Sequence, residues 1–197
     1  MLKLFDVEKG GIMKKEDVIF KISLSGMFIA LGLVLPFLTG QIPEFGNMLC
    51  PMHIPVLICG FICGWKYGLI VGFVIPLLRS LIFYMPPLYP GAIAMAFELA
   101  TYGLIVGLFY ELFNKLHKRG LFTNYITLII AMIGGRIVWG LVRFILSMID
   151  GTFNFTFDIF LSGAFITAWP GIILQLILIP ILIIALDKIG VLNKKRR

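Results

Sequence analysis

GNMLCPMHIPVLICGFICGWKYGLIVGFVIPLLRSLIFYMPPL, residues 46–88, holds two apolar runs that meet at Trp65-Lys66. Both read as oily helix. The first is interrupted near its start by Pro51, His53 and Pro55, and a glycine series begins at Gly60. A titratable ring and two residues lacking a backbone donor mark either a simple helix start or the rim of a binding site. Pro51 and Pro55 suit a helix start, because the first N–H groups of a helix have no partner inside it. His53 stays open between a contact at a cavity rim and a residue that only caps or packs.

Runs of the same kind recur from residue 18 to residue 186. With 60% hydrophobic and 14% charged residues, the chain lies far from a soluble domain, where about 25% charged is usual. Mean hydropathy is +1.03. Crossing about 30 Å of hydrocarbon takes roughly 20 apolar residues in a helix. On that scale the sequence predicts six transmembrane helices, at residues 18–38, 48–65, 67–84, 92–113, 123–149 and 159–186. The connecting segments MPPLYPG, NKLHKRG and DGTFNFTFD are unsuited to helix interiors or to lipid. The expected fold is an all-α polytopic membrane protein. Residues 1–17 form an N-terminal cytoplasmic segment, 18–190 the membrane domain and 191–197 a basic tail. The first seventeen residues are polar and charged, and no small-residue cleavage site follows, so no cleavable signal peptide is expected. Met13 begins a natural start of its own, which makes residues 1–12 a dispensable extension.

The net charge of +7 does not imply a nucleic-acid partner, because the cations border apolar spans. With the N-terminus in the cytoplasm, Lys3, Lys9, Lys14, Lys15, Lys21, Lys66, Lys115, Lys118, Arg119, Lys188 and the final NKKRR all fall inside. The three outer loops then carry only Glu44, Asp150 and Asp158. That asymmetry sets topology and places both termini in the cytoplasm of a cell-membrane protein.

Arg79, Arg136, Arg143 and Glu98 lie within spans, where ionisable groups are costly and by default face protein or water. One reading is a structural ion pair between Arg79 and Glu98 that locks the third and fourth spans. Such a pair leaves Arg136 and Arg143 without an acid, apart from Glu111 near the cytoplasmic end of the fourth span. The other reading is a binding site. Arg79 and Arg143 sit about 7 Å from the outer ends of their spans, at about 1.5 Å per residue. Glu98 lies at a similar depth, Asn47 and His53 at the outer start of the second span, and Trp169 in the outer half of the sixth. Arg136 is deeper, two helical turns from Arg143, and Gln175 is level with it. Tyr102, Trp139 and Trp169 offer aromatic walls. The expected substrate-binding set is therefore Asn47, His53, Arg79, Tyr84, Glu98, Tyr102, Trp139, Arg143, Trp169 and Gln175, around a cavity open to the outside.

Gly60, Gly64, Gly68 and Gly72 recur every four residues, and Gly26 and Ala30 are four apart in the first span. Small-xxx-small seams let helices approach closely in lipid. Cys50, Cys59 and Cys63 have neither CxxC spacing nor a histidine cluster, so they read as small packing residues and no metal site or cofactor is expected. No P-loop, HExxH or GxSxG motif occurs. These absences disfavour a catalytic role. The remaining rival is a stand-alone proton-coupled carrier or small membrane enzyme using Glu98 and His53.

Six spans in under 200 residues resemble the substrate-binding S components of energy-coupling factor (ECF) vitamin transporters. The small-residue first helix SGMFIALGLVLPF, the long stretch quoted above and its continuation AMAFELATYGLIVGLFYELF carry the resemblance. It extends over residues 18–190. The resemblance implies high-affinity capture of a vitamin near the outer surface and no catalysis by the chain itself. It also implies docking on a transmembrane coupling protein that carries two cytosolic ATPases. Small residues of the first helix form the docking face in that family. Here they correspond to Gly26 and Ala30, with Val34 departing from the pattern. The first outer loop, residues 39–52, is implied to close over the cargo. Among cargoes of such scaffolds, two unneutralised arginines favour a small acid, with pantothenate first and nicotinate second.

Overall fold

The structure is a computed structural model that describes residues 15–39, 42, 48–116, 120–151 and 154–188. Among them there are helices and turns and no strand. Helix α1 (Lys15–Val34) continues into a 3-10 turn, Leu35–Thr39; α2 is His53–Cys63, and α3 is Trp65–Phe83. An irregular turn, Leu88–Ala92, leads into α4 (Ile93–Lys115), and α5 runs over Leu121–Asp150. The last span is built from α6 (Phe157–Leu161), a π turn at Ser162–Ile166, and α7 (Trp169–Lys188). Five stretches are long and apolar enough to cross a membrane, and α2 is a shorter apolar helix. The chain is a polytopic all-α membrane protein.

The second predicted span is the point of difference. Within residues 48–65 the helix α2 covers His53–Cys63, 11 residues long, or about 16 Å at 1.5 Å per residue. That is roughly half of a hydrocarbon core. Two backbone features set its limits. Cys50 has φ 47°, in the left-handed region, just ahead of Pro51, and Gly64 has φ 91° where α2 gives way to α3. Glycine adopts such a φ without the Cβ penalty. All of α2 except Ile62 is buried, so its unbroken apolar character reflects burial among helices rather than exposure to lipid. Helices α1, α3, α4 and α7 pack around it.

The α3–α4 interface is made by glycine. A Cβ on Gly68 would lie 2.7 Å from the Gly103 carbonyl oxygen, and one on Gly72 would strike the Leu99 backbone. Gly107 lies equally close to the backbone of Trp65. The glycine series from Gly60 onward is thus an internal seam that brings backbones into contact, the arrangement expected where packing drives helix association. Helix α1 is held more loosely, with Ser25, Phe28 and Gly32 as its buried residues.

Candidate functional site

A cavity of about 710 Å³ opens at the end of the bundle that carries the Pro86–Pro87 and Pro90–Gly91 turns. Its deep side is formed by three elements. His53 comes from the first turn of α2, Glu98 from the second turn of α4 and Arg136 from the middle of α5. All three are buried. Arg136 Nη1 is 3.2 Å from Glu98 Oε1, and His53 Nε2 is 3.4 Å from the same oxygen. The Tyr102 hydroxyl, one helical turn along α4, donates to it at 3.1 Å. The His53 and Tyr102 rings lie 5.2 Å apart between centroids. Because a carboxylate only accepts, the His53 contact as a hydrogen bond requires the proton on Nε2. Its Nδ1 is buried without a partner.

The wall nearer the mouth is aromatic and charged. Trp139 and Arg143 lie one turn apart on α5, and the Arg143 guanidinium sits 5.5 Å from the Trp139 ring and 5.9 Å from that of Phe155. Across the cavity stand Asp158, Ser162 and Thr167. A Cβ on Gly163 would be 2.9 Å from the Trp139 ring, so glycine there lets the last span close against the indole. The cavity therefore presents both signs of charge, with aromatic surface between them.

Of the ten residues expected at the site, His53, Glu98, Trp139 and Arg143 line one cavity. Tyr102 lies behind it as a buried support for Glu98. Gln175 is buried away from it, with Nε2 unpartnered. Trp169 is 57% exposed and Tyr84 83% exposed, and neither lines the cavity. Tyr84 ends α3 in the left-handed conformation, which turns it out of the bundle. Asn47, and half of the loop expected to close over the cargo, lie outside the described residues.

The suggested Arg79–Glu98 pair is not formed. Arg79 Nη1 donates to the Leu33 carbonyl oxygen at 2.7 Å. Its guanidinium lies 5.3 and 5.4 Å from the rings of Phe37 and Phe83. The last carbonyls of a helix lack an intrahelical donor and carry partial negative charge. Arg79 satisfies one of them and fastens α3 to the end of α1. Depth along a span does not show which side of α3 a residue such as Arg79 occupies.

The family profile described as ECF transporter, substrate-specific component, matches residues 20–183. The chain belongs to this family. No curated protein and no solved structure matches it. The chain is accordingly a substrate-binding subunit of an ECF transporter, a class that works with a coupling protein and ATPases. For an ECF substrate-specific component the sequence reading missed several cavity residues. Cys50 reads in sequence as a packing residue, yet it lines the cavity and its Sγ lies 3.5 Å from Arg136 Nη2. Asp158, Tyr89 and the prolines of the α3–α4 connection read in sequence as loop, and they line the cavity too. Three prolines in seven residues were the available signal, since such a segment keeps a fixed shape at the rim.

Proposed function

We propose that this subunit captures a small water-soluble nutrient of the vitamin class at the cell membrane and delivers it to partner subunits for ATP-driven uptake. The partners are a transmembrane coupling protein and two cytosolic ATPases. The observation that carries the reading is the cavity itself. Binding sites for small molecules run from about 300 to 1,000 Å³ and combine apolar walls with a few convergent polar groups, and this one is about 710 Å³. The basic residues at the opposite end of the spans support a mouth on the outer face.

The cargo we favour is an organic acid held at Arg143, whose planar guanidinium suits a bidentate carboxylate pair. Arg136 does not add to this preference, because it is paired with Glu98. Pantothenate stays first. Gly26 and Ala30 are the docking residues we favour. Both are exposed on α1, and a Cβ on Gly26 would meet nothing within 4 Å. The chain has no catalytic role in this scheme.

Two measurements test it together. Mass spectrometry of the purified subunit should find a bound small molecule. Uptake of that molecule in vesicles should require the coupling protein, the ATPases and ATP. Uptake by the subunit alone, driven by an ion gradient, would mean a carrier instead.

A further inference from the structure

The contacts at Glu98 are unevenly divided between its two oxygens. Arg136, Tyr102 and His53 all address Oε1, at 3.2, 3.1 and 3.4 Å. Oε2 receives no hydrogen bond from the described residues, and it is not among the buried polar atoms sealed without a partner. Glu98 is only 1% exposed, and it lines the cavity. An ionised carboxylate with one oxygen saturated and the other open is an acceptor aimed at whatever occupies the cavity floor.

We propose that Glu98 Oε2 selects the cargo, and that the cargo is an organic acid carrying a hydroxyl or ammonium donor at the end remote from its acid group. The proposal rests on the reading of this cavity as the substrate site. Water satisfies Oε2 while the cavity is empty. A cargo that displaces that water without supplying a donor leaves a desolvated anionic acceptor, which is heavily penalised. A carboxylate placed on the floor meets like charge as well. The acid group therefore sits elsewhere, and Arg143 is the cation on the wall.

The separation between the two anchors sets the shape of the molecule. Glu98 is level with Arg136, its ion-pair partner. Arg143 follows Arg136 by two turns of α5, a rise of about 10 Å at 1.5 Å per residue. A molecule that engages both anchors carries its acid and its donor at opposite ends. A single small ring with one acid group reaches one anchor and leaves the other unsatisfied. Asp158, which also lines the cavity, offers a second acceptor and opposes cargoes with two acid groups.

The test varies the ligand and leaves the protein intact. Calorimetry on the full chain in nanodiscs would compare three acids: pantothenate, its analogue with both hydroxyls replaced by hydrogen, and nicotinate. Pantothenate carries hydroxyls remote from its carboxylate, and nicotinate has no donor. We expect pantothenate to bind, the dideoxy analogue to bind at least tenfold more weakly, and nicotinate more weakly still. In Glu98→Gln the ratio between the first two should shrink several-fold. Equal affinity for pantothenate and its analogue overturns the proposal, and so does tighter binding of nicotinate. If pantothenate does not bind, the co-purified molecule decides: a remote donor on it supports the proposal, and a donor-free acid sinks it. Lack of uptake with the complete ATPase module would refute the transport reading while leaving this preference intact.

Discussion

Arg136 of α5 and Glu98 of α4 form an ion pair at 3.2 Å, with the two side chains 8% and 2% exposed. The pair sits at the floor of a cavity, at a depth where neither charge could be left alone. Tyr102 and His53 complete the shell around the shared oxygen. This cluster ties α2, α4 and α5 together, so one arrangement both holds the bundle and shapes the site.

Breaking the pair from one side should be costly. Removing one member of a buried pair leaves an uncompensated charge and typically destabilises by about 3–5 kcal/mol. Thermal unfolding in detergent should show Arg136→Met and Glu98→Leu each strongly destabilised. The double variant should regain most of the loss, because no charge is stranded. Strictly additive losses would mean that the two groups do not depend on each other.

Arg79 should behave differently from the cavity residues. Its hydrogen bond to the Leu33 carbonyl is charge-assisted, a class worth about 1.5–3 kcal/mol. Arg79→Met is expected to lower stability by an amount of that order and to leave affinity for the cargo near that of the wild type. A loss of affinity without a loss of stability would return Arg79 to the site.

Arg143 should read the charge of the cargo. Comparing pantothenate with its uncharged primary amide, the wild type is expected to favour the acid by about 2 kcal/mol or more, as for other desolvated charged pairs. Arg143→Gln should erase most of that preference. Equal discrimination in the variant would take Arg143 out of acid recognition.

Two glycine positions should separate docking from folding. Gly26 faces open space on α1, so Gly26→Trp should block uptake through the complete transporter while binding by the isolated subunit persists. Gly72 faces the Leu99 backbone, so Gly72→Ala should force α3 and α4 apart. Overpacking of this kind costs about 1–3 kcal/mol. Loss of stability should then appear before any partner is added. If Gly26→Trp also abolished binding, α1 would be an internal helix and not a docking face.

The sequence by itself determined that the chain is helical and polytopic, where five of the spans lie, and which family it resembles. Those properties depend on the number and order of apolar residues, which a linear reading measures directly. It also singled out His53, Glu98, Trp139 and Arg143, which line one cavity, because polar and aromatic residues at membrane depth are rare enough to stand out. The sequence could not determine that the run at 48–65 is a short buried helix. An apolar run reads the same whether lipid or protein covers it, and the left-handed turns at Cys50 and Gly64 are set by packing. Nor could it pair the charges. Counting along the spans sets Arg79 level with Glu98 and Arg136 deeper, yet Arg136 is the partner, and the choice rests on the rotation of α3 and α5 about their axes. That rotation follows from backbone contacts such as Gly68 with Gly103, which join residues far apart in sequence. Only the tertiary structure decides it, because side-chain direction around a helix is settled by what packs against it.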